Sequence, residues 1–133
     1  MGKKTKSKQR LDQYYHFAKT QGYRSRAAYK LIQLNRKYNF LNSATAVIDL
    51  CAAPGGWMQV CANTMPANST IIGVDLDEIK RVPGTMSFKG DITKQDTFDR
   101  LKRDLKGRKV DAVLNDGAPN VGANWNKDAY TQS

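Results

Sequence analysis

Four aspartates stand at or just beyond the ends of short apolar runs. Asp49 lies in VIDL, Asp75 closes TIIGVD, Asp91 follows MSFKG, and Asp116 follows VDAVLN. Directly after the first run comes the bare turn Ala52-Ala53-Pro54-Gly55-Gly56, then Trp57. A carboxylate ending a second strand can accept both hydroxyls of a ribose. The turn lacks the Gly-x-Gly-x-x-Gly spacing that aims a helix N-terminus at a pyrophosphate. Asp49 nearby would repel a pyrophosphate, whereas an ammonium or a sulfonium would tolerate it. S-adenosylmethionine carries adenosine, an ammonium and a sulfonium, and no phosphate. Gly55 and Gly56 would let backbone approach its methionine end with no Cβ in the way. Trp57 is either a wall of that site or a core residue. Asp91 is placed to receive the adenine amino group. Asp favours turns and helix caps in any case; the repetition at four successive strand ends is what points to a ligand.

The elements that must hold these residues alternate. Ser25 can cap a helix running to about Lys37, with Ala27, Leu31, Leu34 and Tyr38 on one face. Val47–Leu50 reads as a buried strand, short, apolar and bounded by the turn. The spacing predicts a helix from Trp57 to about Thr64, ended by Pro66, and a second buried strand over Thr70–Asp75. A shorter strand follows over Met86–Phe88. An amphipathic helix is expected from Thr97 to about Lys106 through Phe98, Leu101 and Leu105, stopped by Gly107. Val110–Leu114 is the fourth strand. Strands alternating with helices imply an α/β fold, a parallel sheet with helices on its faces, and ligands bind such sheets beyond the carboxyl ends of the strands.

A chain of 133 residues makes one domain with a core. Its 40% hydrophobic and 26% charged content is that of a globular protein. No apolar run is long enough to span a membrane, and the N-terminus has no apolar stretch of a secretory signal. Cys51 and Cys61 lack the spacing of a metal site and read as reduced thiols, and His16 stands alone. Charge is informative because it is uneven. Residues 1–40 carry 11 Lys and Arg against the single acid Asp12, and residues 41–133 carry 11 of each sign, so the net charge of +10 lies in the first 40. Such a block attracts polyanions. Tyr14, Tyr15, Tyr23, Tyr29 and Tyr38 are interleaved with its cations, which suits RNA, since rings stack on bases while cations follow the backbone. Lys3, Lys4, Lys6, Lys8, Arg10, Arg24 and Arg26 are the expected RNA-binding residues. Residues 1–10 read as disordered, residues 1–21 as a basic arm, and residues 22–133 as the folded part.

Five segments together, GYRSRAAYKL (22–31), VIDLCAAPGGWMQV (47–60), IIGVDLD (71–77), GDIT (90–93) and VLNDGAPN (113–120), resemble the FtsJ/RrmJ family of ribose 2′-O-methyltransferases. The likeness runs through nearly the whole chain from Leu11 onward and is closest to the eukaryotic nucleolar branch that modifies pre-rRNA. The resemblance implies a Rossmann-like fold dependent on S-adenosylmethionine, with cofactor contacts at Gly55, Trp57, Asp75, Asp91 and Asp116. It implies catalytic roles for Lys30 and Asp116, the first two of a Lys-Asp-Lys-Glu set. A ribose hydroxyl is a poor nucleophile, so a lysine can steer it or take its proton, and a carboxylate beside the lysine orients it. Transfer is an in-line displacement in which positioning supplies much of the rate. The implied partner is pre-rRNA or a pre-ribosomal particle, with no membrane and no metal, and the implied location is the nucleus and nucleolus.

The second lysine and the glutamate of the set have no match here, and Lys127 is too close to Asp116 in sequence to serve. The pattern gives about four strands, fewer than the full fold uses, so the chain reads as the N-terminal part of a longer enzyme, with little or no activity alone. Other readings are a non-catalytic RNA-binding or ribosome-assembly factor that keeps the fold, and a tRNA or mRNA-cap methyltransferase of the same family. A nucleotide-dependent oxidoreductase is disfavoured by the missing glycine pattern and by Asp49.

Overall fold

The computed structural model describes residues 22–116. The arm residues Lys3, Lys4, Lys6, Lys8 and Arg10, and the segment after Asp116, lie outside the described residues. The element order is α1 (Ala27–Tyr38), β1 (Ala46–Leu50), α2 (Gly56–Thr64), β2 (Thr70–Asp75), β3 (Met86–Lys89), α3 (Gln95–Leu105) and β4 (Ala112–Asn115). The four strands form one parallel sheet in the order β3-β2-β1-β4. All strand C-termini therefore share one rim, as the alternating pattern requires.

Alternation along each strand sorts the core into two layers. Val47 and Ile71 face a cluster with Leu31, Met58, Val60 and Cys61 from α1 and α2. Ile48, Leu50, Ile72 and Val74 face Leu101 of α3. Residues on β1 are buried on both faces, the mark of a central strand in a parallel sheet. Asp49 falls on the same side as Val47, so the pleat drives a carboxylate into the layer beneath α1 and α2. Its pairing partner on β2 is Gly73, where an added Cβ would lie 2.2 Å from the Met58 sulfur. Close approach of α2 to the sheet requires glycine there.

Several expected boundaries shift for identifiable reasons. Ser25 does not cap α1: the cap position is Arg26, which makes no side-chain cap hydrogen bond. The buried stripe of α1 is Ala28 and Leu31, with Ala27 and Ile32 packed beside it, rather than Ala27, Leu31, Leu34 and Tyr38. Tyr38 is 62% exposed and its ring lies beneath the Lys37 ammonium. The helix closes instead on left-handed Asn39, and the Asn35 carboxamide accepts the Leu41 N–H at 2.8 Å. In α3 the stripe is Thr97 and Leu101, so Phe98 is displaced to the flank and is 43% exposed. Strand β4 begins at Ala112 rather than Val110, because Asp111 has another task. Its carboxylate accepts the N–H groups of Thr45 and Ala46 at 2.7 and 3.1 Å, fastening the start of β1 at the far rim.

Candidate active site

The cleft lies at the carboxyl rim, between the start of α1 and the β1–α2 turn. Asp49, Cys51, Pro54, Gly56, Trp57 and Asp116 line it, with Ser25 and Ala27 from the segment entering α1. Trp57 belongs to the core and also borders the cleft. Its side chain is 8% exposed and packs in the core, it lines the cleft, and its Nε1 donates to the Ala27 carbonyl at 2.7 Å. That bond holds α1 and α2 together across the cleft. Gly55 precedes α2 with φ of 112°, a left-handed conformation that only glycine adopts without strain. A Cβ there would meet Val82 at 3.0 Å and the Arg24 guanidinium at 3.1 Å. At Gly56 a Cβ would come within 2.8 Å of the Ser25 hydroxyl.

The aspartates differ sharply in environment. Asp49 is 2% exposed and its Oδ2 has no hydrogen-bond partner. Burial above all, then the neighbouring charges of Asp116 and Asp75, pushes its carboxyl well above the usual carboxylate range. Asp75 is held by backbone: Oδ2 accepts from Ala53 N–H and Oδ1 from Asp77 N–H, each at 2.9 Å. These bonds fix the rotamer and leave lone pairs for further donors. Asp91 accepts both the N–H and the hydroxyl of Thr93, which holds its carboxyl below the usual range. Asp116, at the end of β4, meets Lys30 from α1: Nζ lies 3.1 Å from Oδ1 although 86 residues separate them. The structure thus brings Lys30 to Asp116, and Asp116 to the cleft that Asp49, Gly56 and Trp57 line.

Arg24, grouped by sequence with the RNA-binding cations, makes bonds within the fold. Its guanidinium donates to the carbonyls of Pro54, Lys80 and Arg81. Arg26 is exposed. Two features of the rim escaped sequence reading. Leu76 is 69% exposed directly after Asp75, an apolar surface beside that carboxylate, and its signal was the leucine of GVDLD. Cys51 has φ of 60°, and no cue short of structure marks a cysteine as left-handed. Burial and the charges of Asp75 and Asp49 raise its thiol pKa. Among the described residues, no group of His, Cys, Asp and Glu could hold a metal ion, and no helix is long and apolar enough to cross a membrane.

A parallel, doubly wound sheet with acids at its carboxyl rim and a glycine turn after β1 defines a protein of the Rossmann-like class. Comparison with known proteins narrows the class. The FtsJ-like methyltransferase family matches residues 23–133, and the chain belongs to that family. It is 58% identical over 134 residues to the pre-rRNA 2′-O-ribose RNA methyltransferase FTSJ3 of Rattus norvegicus, covering 100% of this chain and 16% of that protein. It is 57% identical over 136 residues to the AdoMet-dependent rRNA methyltransferase SPB1 of Mycosarcoma maydis, covering 100% of this chain and 15% of that protein. The chain thus spans about a sixth of the length of these relatives. Among solved structures, a ribosomal RNA methyltransferase from Plasmodium falciparum superposes with a TM-score of 0.64 at 32% identity, covering 82% of this chain and 66% of that one.

Proposed function

We propose that this chain forms the donor-binding part of an RNA ribose 2′-O-methyltransferase that uses S-adenosylmethionine and acts on pre-rRNA in the nucleolus. The observation that carries this reading is the Lys30–Asp116 pair, 3.1 Å apart beside the cleft. The relatives named as rRNA methyltransferases support the substrate class. Residues 1–21 serve as a basic arm for RNA and residues 22–133 as the catalytic domain's first part, with a pre-ribosomal particle as the physiological context.

The residues present fit the donor. Asp49 offers an orphaned buried carboxylate oxygen, suited to a cationic ligand and hostile to a phosphate. A Cβ at Gly55 would collide with Val82 and Arg24, and one at Gly56 with the Ser25 hydroxyl, so only glycines let this turn sit so close to its neighbours at the cleft. Asp75 suits the ribose hydroxyls, Leu76 offers apolar surface to the base, and Asp91 suits the adenine amino group. When bound, S-adenosylmethionine supplies an electrophilic methyl group on a sulfonium. Lys30 steers the 2′-hydroxyl, and Asp116 orients Lys30. Both side chains are partly exposed, as groups that meet a macromolecule must be.

Titration calorimetry of the 133-residue chain with S-adenosylmethionine tests the binding half of this reading. Binding that Asp75→Ala abolishes is the expected result. Absence of binding by the folded chain would favour an RNA-binding assembly factor that keeps the fold. Tritiated methyl transfer to pre-rRNA should be slight for this chain and, in a full-length protein, lost on Lys30→Ala.

A further inference from the structure

Arg24 joins three segments at the rim of the sheet. Its backbone N–H donates to Gln59 Oε1 at 2.8 Å, and Gln59 Nε2 returns a bond to the Gly22 carbonyl at 3.0 Å, strapping residues 22–24 onto α2. The side chain then crosses to two loops. Nη1 donates to the Pro54 carbonyl at 3.0 Å and to that of Lys80, and Nη2 donates to that of Arg81. Pro54 belongs to the turn that lines the cleft. Lys80 and Arg81 belong to the loop that leaves Asp75 at the end of β2. One planar cation therefore ties the wall proposed for the donor's methionine end to the loop behind the carboxylate proposed for its ribose.

The geometry restricts what can replace it. A guanidinium presents five donors in a rigid fork, whereas an ammonium is a compact point on a flexible stem. Three acceptors on two loops suit the fork. The Pro54 carbonyl shares a peptide plane with the Gly55 N–H, and across a trans peptide the two point in opposite directions. Holding the oxygen thus fixes the aim of that N–H. Gly55 packs so tightly that an added Cβ would lie 3.1 Å from Nη1 and 3.0 Å from Val82 of the same loop.

We propose that Arg24 is a positioning residue of the donor site, setting the Pro54–Gly55 turn against the 80–81 loop, and that it contributes little to RNA binding. The inference rests on the reading of the cleft as an S-adenosylmethionine site. Arg26, two residues on and exposed, is its internal contrast.

The test measures two affinities for the 133-residue chain and its R24A, R24K and R26A variants. Donor binding is read by calorimetry with S-adenosylmethionine, RNA binding by anisotropy with a short single-stranded oligoribonucleotide. Thermal unfolding without ligand checks that each variant is folded at the assay temperature. R24A and R24K should each weaken donor binding by about tenfold or more, since lysine cannot span three carbonyls, and leave RNA binding within about twofold. R26A should do the reverse. R24K keeps the charge, so it decides the matter even where R24A unfolds. R24K binding the donor as tightly as the unsubstituted chain, or losing RNA affinity as R26A does, overturns the inference and leaves the cleft reading standing. Failure of the unsubstituted chain to bind the donor overturns both.

Discussion

Asp49 is where the fold gives up stability to the site. A carboxylate at 2% exposure with an unpartnered oxygen opposes folding wherever it is charged. Its pKa is raised on folding, chiefly by burial. The native state then holds a proton that the unfolded chain has lost, so this residue lowers stability as pH rises above about 4, the unfolded value, toward the folded one. Asp49→Asn removes that cost. In the ligand-free chain it should raise the melting temperature by several degrees at neutral pH and by almost nothing near pH ~3, as scanning calorimetry at both would show. The same variant should bind S-adenosylmethionine about tenfold more weakly, the usual opposition of stability and function. Cys51 gives a second case. At φ of 60° its side chain is strained, so Cys51→Gly should leave stability unchanged or raise it by up to about 1 kcal/mol, measured by urea unfolding.

At the scale of elements, the rim proposed to bind the donor is balanced by a rim that fastens. Asp111 holds the start of β1 through two backbone N–H groups, and Arg108 donates to the carbonyls of Thr45 and Asn68 beside it. Those bonds hold the Asp111 carboxyl below the usual range. Its contribution is therefore complete above the unfolded pKa near about 4 and is lost as pH falls through the lower folded value. Asp111→Ala should destabilise the chain by about 1 kcal/mol at neutral pH, with the gap to the parent closing in acid. The element types and order were legible because each strand is a short apolar run bounded by turn residues. Helix faces were less so. In α1 the apolar spacing of Leu34 and Tyr38 competed with Ala28 and Ile32, and packing against α2 chose the latter. In α3 a buried Thr97 took the place that hydrophobicity alone assigns to Phe98. Asp111 was hidden because, inside the run read as the fourth strand, nothing marked it as a residue that fastens β1 instead.

Over the whole molecule, the net positive charge and the rim acids occupy different parts of the sequence. The first 40 residues hold the entire net charge of +10, while the rim acids come from residues 49–116. Deleting residues 1–21 should weaken RNA binding and flatten its dependence on salt, by about 0.7 in log–log slope for each phosphate the arm would have neutralised. Donor affinity should not change, and calorimetry beside a salt series of anisotropy titrations measures both. The rim acids were readable because parallel strands must end on one side. Lys30 was not readable from chemistry, since one more cation in a basic stretch carries no mark. Only the family resemblance singled it out, and only the fold shows its distance from Asp116. The bonds of Arg24 were hidden for the same reason: sequence registers a charge but not which carbonyls surround it.

The 86-residue separation of Lys30 from Asp116 has a consequence for biogenesis. At usual translation speeds, about 4–17 s pass between synthesis of the one and of the other. A nascent chain therefore displays its cationic leading segment well before the counter-anion exists. The pair can close only once β4 has docked beside β1, which makes its formation a late event in the maturation of this polypeptide.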